Sequence, residues 1–403
     1  MLELLARAAI LALARRIKVG RLVVLEEGRA ISLGPGGPPD AIIEVYSRNV
    51  WPLLVRGRRG AVKAYQAALW DSPDLAAVFR VALSNARRLD LLRRPIAIIR
   101  GSWMRRNTPE RSRLDVSRHY DVGNDLFAVM LGPTMIYSCA VFEGAESTLD
   151  EAQLRKLELV CQKLDLGSSD RVVEIGSGWG GFAVYAAASR GCRVVTTTIS
   201  SEQYKFALKK VQEAGVANLV DVRLEDYRQL RGVYNKLVSL EMIEAVGPKD
   251  FPTFFKCCSR LLASDGRMLL QAITIQDQSY DVSRVSCGFV STHVFPNGCL
   301  PSARVIADNV ARYTDLRTVH LEDFTRHYVE TLRRWQCNLE AARSELGALG
   351  YHREFRRLWR LYLAYAEAGF EEQYIQVVQL VLSKPQDRPP SPWARRKRAA
   401  PSS

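Results

Sequence analysis

Between Arg171 and Gly181 the chain reads RVVEIGSGWGG, a short apolar run that meets a glycine turn and passes into helix-forming sequence. Gly176, Gly178 and Gly180 leave bare backbone where a strand becomes a helix, the place at which a polar cofactor can lie against main-chain N–H groups. The same letters satisfy the dinucleotide fingerprint, with Gly176, Gly178 and Gly181 at its spacing, so the turn by itself admits NAD or S-adenosylmethionine (SAM). A dinucleotide site wants a carboxylate about 20 positions on, at the end of the second strand. That place reads VVTTTIS, without one, whereas Glu174 stands just before the turn. The balance favours SAM.

Three further segments fall at the same rim if strands and helices alternate here. TISSEQ (198–203) offers the hydroxyls of Thr198 and Ser200 and the amide of Gln203; LEDYR (224–228) offers Leu224, Glu225 and Asp226; LEMIEAVG (240–247) offers Glu241 and Glu244. In a methyltransferase these meet ribose, adenine and substrate respectively. Asp226 reads either as an acceptor for the adenine amino group or as a cap for the following turn. A carboxylate in a sheet crevice needs a partner, so one of Glu241 and Glu244 is expected to be functional and the other solvated. Upstream, HYDVGNDLFAVMLGPTMIYSCAVF (119–142) is rich in aromatics and hydroxyls. Cys139 within it reads as a buried structural thiol, because no histidine stands at nucleophile spacing.

The elements that must position these residues follow from periodicity. From about 150 to 275 the pattern alternates, with strands near 171–175, 193–198, 219–224, 236–240 and 267–273 and helices between them, which means a mostly parallel sheet covered on both faces. Residues 322–373 read as largely helical and IQVVQLVLS (375–383) as a returning strand. Before this domain, residues 21–46 read as paired strands around a Gly/Pro turn and 60–95 as helical, a small α+β unit. The domains expected are thus 1–100, a basic linker over 101–118, the α/β domain over 119–385 and a disordered basic tail over 386–403.

With 403 residues, 47% of them hydrophobic, the chain can fill two cores. Its formal net charge of +14 asks for an anionic partner: nucleic acid, a membrane surface or an acidic substrate. The eight cysteines form no CxxC pair and no Cys/His cluster, which argues against a zinc site and a disulfide framework. No apolar run is long enough to span a bilayer. The opening MLELLARAAILALARRIKVG lacks a positive leader and cleavage site, which argues against a signal peptide; it reads as an amphipathic helix, packed on its own domain or in contact with a membrane.

The motifs HYDVGND, MIYSC, EIGSGWGG, TISSEQ, MIEAVG and FPNGCLPS, in this order and spacing, resemble the cyclopropane-fatty-acyl-phospholipid synthase family, to which the mycolic acid cyclopropane synthases are related. The similarity is strong over 115–383 and weaker over the first hundred residues, where GAVKAYQAALWDSPDL resembles the family's lipid-binding domain. It implies a Rossmann-like class I SAM-dependent methyltransferase fold. It also implies methyl transfer from SAM to the double bond of an unsaturated acyl chain on a membrane phospholipid, with a cyclopropane as product. By resemblance, Tyr137, Ser138, the turn from Val172 to Gly180, Thr198 to Gln203 and Leu224 to Asp226 hold SAM. Cys139, Glu244, the carbonyl of Ile273 and Tyr328 surround a bicarbonate ion that acts as base.

Two departures from the family pattern stand out: Gln271 occupies the place of a histidine at the ion, and Ala366 that of a cysteine. Because glutamine cannot take up a proton, a hydride shift to a methyl- or methylene-branched chain is the alternative outcome, and a non-catalytic lipid-binding protein a further one. The partners expected are phospholipid acyl chains in an anionic membrane and, by resemblance, a second copy in a homodimer. The location expected is cytoplasmic, at the inner membrane face. Nucleic acid is not expected, since MIEAVG stands where a base-handling Asn/Asp-Pro-Pro-aromatic tetrad would lie. Isothermal titration should find SAM bound far more tightly than NAD; a preference for NAD would overturn the cofactor assignment.

Overall fold

The structure, a computed structural model, describes residues 1–86, 123–285, 289–290, 294–295 and 298–388. The expected linker over 101–118 and most of the expected tail lie outside these residues. Among the described residues the chain forms a four-stranded and a seven-stranded sheet.

The larger sheet has the order β10-β11-β9-β8-β5-β6-β7, with β5 Arg171–Ile175, β6 Arg193–Thr198, β7 Val220–Leu224, β8 Tyr234–Leu240, β9 Leu262–Ile275, β10 Arg317–Asp323 and β11 Ile375–Ser383. Strands β5 to β9 pair in parallel, while β11 and β10 are antiparallel additions at one side. Parallel strands covered on both faces must be apolar nearly throughout, which is why VVEI, LVSL and MLLQAITI are readable as strands. One face packs on helices Leu149–Leu164, Gly181–Arg190 and Ser201–Glu213, through Leu157, Val160, Phe182 and Ala207. The other packs on helices Phe251–Leu261 and Ala303–Tyr313, through Phe254, Phe255, Leu261, Ile306 and Val310. Helix Leu149–Leu164 starts on a capping box, in which Thr148 and Glu151 each bond the other's backbone N–H.

From β5 the chain winds to β6 and β7 on one side, then returns to β8 and β9 on the other. The strand order therefore reverses between β5 and β8, and the crevice outside their carboxyl ends is where such sheets bind ligands. The two turns leaving this crevice touch: a Cβ on Gly176 would lie 3.0 Å from Met242 Cγ.

The smaller sheet has the order β2-β1-β3-β4, with β1 Gly20–Glu26, β2 Arg29–Gly36, β3 Asp40–Val45 and β4 Trp70–Asp71. The hairpin expected at the Gly/Pro segment is instead made by Glu27 and Gly28, both at positive φ (50° and 75°), the geometry of a two-residue turn. The Gly/Pro segment carries the chain across to β3, which runs parallel to β1. Residues 60–95, expected as helical, are interrupted by β4 between helix Arg58–Gln66 and a helix over 75–86. Nor was β10 anticipated: RTVHLED is exposed at every position and shows no buried face from which to read it. The expected tail boundary moves as well, since Gln386 N bonds the Ser264 carbonyl and Asp387 pairs with Arg267 at 2.6 Å.

The small sheet and its helices share one apolar cluster with helices Asn124–Leu131, Thr325–Ala341 and Arg353–Glu371. Arg357 fastens this junction. Its guanidinium donates to the carbonyls of Tyr65 (2.6 Å) and Trp70 (2.9 Å) and to Asp71 (2.7 Å), and lies 3.8 Å from the Tyr65 ring centre. Replacing it with alanine strands two carbonyls, so Arg357→Ala should cost roughly 2 kcal/mol, read as a lower urea midpoint; an unchanged midpoint would remove the residue from the junction.

Candidate active site

The glycine turn lies at the carboxyl end of β5. Gly176, Gly178 and Gly180 all take positive φ (98°, 49° and 85°), so each would be strained with a side chain. A Cβ on Gly180 would crowd Ala207 at 3.1 Å and one on Gly181 would reach Ile136 at 2.8 Å, whereas one on Gly178 would meet nothing within 4 Å. Gly178 therefore presents bare backbone to open space. Trp179 buries its ring against Phe127 and donates to Asn124 Oδ1 at 2.9 Å, which ties the turn to the upstream aromatic segment.

Glu174 does not reach the rim. It is buried beneath the turn and accepts from Thr196 Oγ1 at 2.6 Å; burial pushes its carboxyl up to about 8, opposed by that bond and by Lys156. At the end of β6, Thr198 Oγ1 donates to Gln203 Oε1 (2.8 Å), and Ser200 Oγ caps the next helix by accepting from Gln203 N (3.3 Å). This leaves Gln203 Nε2 to donate outward. After β7, Leu224 is 47% exposed and offers an apolar face, and Glu225 N bonds the Thr198 carbonyl. Asp226 is taken locally: Oδ1 accepts from Arg228 N and Nε, and Oδ2 from Arg228 Nη2 at 2.7 Å. Of the two readings of Asp226, the structure realises the turn-holding one and leaves one lone pair on Oδ2. Bare backbone at Gly178, an outward amide and an exposed apolar residue suit a nucleoside cofactor such as SAM.

Across the crevice, the residues expected around an ion come together on a different centre. Glu241, one of the two carboxylates between which the sequence did not choose, accepts from Cys139 N (2.9 Å) and Gln271 Nε2 (2.7 Å) on Oε1 and from the Tyr328 hydroxyl (2.6 Å) on Oε2. Its backbone sits at φ 52°, unusual for a side-chain-bearing residue, and its N–H donates to the Gln271 carbonyl. Glu244 accepts from Ile273 N at 2.5 Å, so the Ile273 N–H rather than its carbonyl is the group engaged; the buried Glu244 Oε2 meets no donor among the described residues. Three donors thus converge on Glu241 and only backbone donors on Glu244. A bicarbonate ion does not fit this arrangement: the donors expected to hold it are occupied by Glu241, whose charge would oppose a second anion.

Protonation follows from the same contacts. Burial, and then the charge of Glu241, push the Cys139 thiol and the Tyr328 phenol well above their ordinary values, so both stay protonated. Burial also raises the Glu241 carboxyl, opposed by its three donors and by Lys156, while burial and the neighbouring Glu241 take Glu244 up to about 8. Lys156 is fully buried, donates to Ser138 Oγ at 2.7 Å, and is brought down to about 8 by burial.

Around this centre lies an aromatic wall. Tyr137 packs against Trp335 (5.2 Å between ring centres) and Phe127 (5.3 Å), its hydroxyl meets that of Tyr362, and Tyr328 stacks on Phe370 at 4.3 Å. Ala366 is partly buried against the same cluster. Sequence reasoning offered Glu241 only as one of a pair, and missed Lys156 and Gln379. For Gln379 a signal existed, a lone amide inside the apolar strand IQVVQLVLS.

Residues 107–380 match the family model described as mycolic acid cyclopropane synthetase. The tuberculostearic acid methyltransferase UfaA1 of Mycobacterium tuberculosis is 36% identical over 341 residues, 81% of this chain and 79% of that protein. The cyclopropane-fatty-acyl-phospholipid synthase of Escherichia coli is 34% identical over 335 residues, 82% of this chain and 85% of that protein. Two solved structures match with a TM-score of 0.63, each covering 68% of this chain and 98% of the other: the cyclopropane synthase MmaA2 of M. tuberculosis at 30% identity, and mycolic acid cyclopropane synthase CmaA1 complexed with SAH and CTAB at 29%.

A carboxyl raised on folding contributes stability below its unfolded value and loses it as pH rises through the folded one. For Glu244 that window runs from the ordinary carboxyl value of 4.5 to about 8. Wild-type urea midpoints should therefore fall across this window more steeply than those of Glu244→Gln; parallel curves would show that Glu244 ionises as freely as in water.

Proposed function

Because this chain belongs to the mycolic acid cyclopropane synthetase family of SAM-dependent methyltransferases, we propose that it modifies the double bond of an unsaturated fatty acyl chain on a membrane phospholipid, forming a cyclopropane. The observation that carries this reading is a hydrogen-bonded carboxylate and an aromatic wall set at the same strand-order reversal as the glycine turn.

When bound, SAM supplies an electrophilic methyl group to the alkene and leaves as S-adenosylhomocysteine. Gly178, Gln203 and Leu224 are the residues suited to hold it. The carbocation left on the acyl chain needs surroundings that stabilise it without capturing it. The faces of Tyr137, Trp335 and Tyr328 do so, since an aromatic ring attracts a cation but forms no lasting bond with it. Neither the Cys139 thiol nor the Tyr328 phenol is ionised, so neither competes as a nucleophile. Ring closure then requires a proton to leave the new methyl group.

Docking on an anionic bilayer belongs to the same proposal. Helix Leu2–Ala14 buries Ala6 and Leu11 against its own domain while leaving Leu2, Leu4, Leu5 and Leu13 exposed, and the basic pair Arg15 and Arg16 follows. That combination suits a helix lying in a membrane interface. No helix among the described residues is long and apolar enough to cross a membrane.

A second reading, a methylene- or methyl-branched product, is favoured by Gln271 in place of a titratable side chain and by the similarity to a tuberculostearic acid methyltransferase. The test is to incubate the full chain with methyl-labelled SAM and vesicles of unsaturated phosphatidylglycerol, then identify the labelled acyl product by mass spectrometry and NMR. Label in a ring methylene is expected. Label in a branch selects the second reading, and absence of label from any lipid overturns both.

A further inference from the structure

We propose that Glu241 is the general base of this enzyme, a carboxylate built into the chain where an exchangeable anion was expected, and that Lys163 positions its donors through a one-way relay of two buried amides. The proposal deepens the acyl-methylation reading and rests on it.

The relay crosses three strands. Lys163 Nζ donates to Gln379 Oε1 (2.6 Å), Gln379 Nε2 donates to Gln271 Oε1 (2.9 Å), and Gln271 Nε2 donates to Glu241 Oε1 (2.7 Å). Its direction is forced. An ammonium has only donors, so Gln379 must turn its oxygen to Lys163 and its nitrogen to Gln271, and Gln271 must then turn its nitrogen to Glu241. Both amides are buried, and they stand directly opposite each other in the β9–β11 register. Lys163 is itself held by Glu322 of β10 at 2.6 Å. Gln271 is therefore a fixed donor to the base. It need not accept a proton.

The groups facing Glu241 all favour its charged form. Tyr328 and Cys139 donate to it, Gln271 donates from β9, and Lys156 adds positive charge from its own helix. Glu244, three residues on, has only backbone donors and an unpartnered oxygen, so of the two acids it is the one that keeps its proton. A glutamate at φ 52° is strained, and three hydrogen bonds to its side chain hold it there. In the step assigned to it, a C–H bond of the transferred methyl breaks and its electron pair forms the closing C–C bond, neutralising the carbocation. The proton passes to Glu241 and is lost to solvent before the next turnover. A methylene-branched product needs the same acceptor, with the electron pair forming a C=C bond instead.

The test uses the full chain in buffer depleted of carbonate and then supplied with sodium bicarbonate. Wild-type turnover should be the same in both. Glu241→Gly, which suits the backbone at this position, should lose about 100-fold or more of turnover, regain part of it with bicarbonate, and bind SAM within a few-fold of wild type by titration. Lys163→Met frees both amides to turn, weakens donation to the carboxylate and raises its pKa, so the acidic limb of the pH–rate profile should move to higher pH; Lys163→Arg, which keeps the donor, should restore it. Bicarbonate-dependent wild-type turnover, or an active Glu241→Gly in depleted buffer, would overturn the base. An unmoved acidic limb in Lys163→Met would overturn the relay. Should wild type methylate no lipid, the acyl-methylation reading fails separately, and infrared titration still decides about Glu241. A buried carboxyl band absent from Glu241→Gln and titrating higher in Lys163→Met supports the placement, and its absence from wild type refutes it.

Discussion

A carboxylate withdrawn from water must be given donors or a proton, and this sheet carries two of them within one turn at the end of β8. The structure divides the two solutions between them. Glu241 receives the main chain of Cys139, the amide of Gln271 and the hydroxyl of Tyr328. Glu244 receives only backbone donors and is pushed up to about 8. Satisfying Glu241 recruits a segment before the first α/β helix, strand β9 beside β11, and helix Thr325–Ala341. The mixed edge of the sheet is thus part of the site, because without β11 the amide of Gln271 would have no partner to orient it.

The glycine turn was readable because its requirements are local: positive φ at three residues, an apolar strand before and a helix after. Strands β5 to β9 were readable for a similar reason, as buried parallel strands announce themselves by uninterrupted apolar runs. Glu241 was not readable as the centre of the site. Its role depends on a backbone at φ 52° and on donors about a hundred residues upstream and thirty and nearly ninety downstream. Lys156 was hidden for a different reason. In LDEAQLRKLELVCQKL it looks like one more surface charge of an amphipathic helix, and only tertiary packing reveals it as fully buried beside Ser138. The residues that the family resemblance grouped, Cys139, Glu244, Gln271, Ile273 and Tyr328, come together in the structure, and the side chain at their centre is Glu241.

The small N-terminal sheet is joined to the larger domain by core as well as by polar contact. Tyr65 and Trp70 pack with helix Arg353–Glu371, whose Trp359 and Tyr362 also belong to the wall around the site. Movement of the small sheet against the larger domain would thus be felt in the aromatic packing near Tyr137.

Strand β10 has one more consequence. It ends the seven-stranded sheet, so among the described residues its outer backbone edge has no strand beyond it, and such an edge invites pairing with another molecule. The register shift between Thr318 and His320 breaks the regularity a docking strand would need, and Arg317, His320, Glu322 and Asp323 line the strand with charge and polarity. Glu322, which anchors Lys163, thereby also places a charge on the edge where a further strand would have to pair.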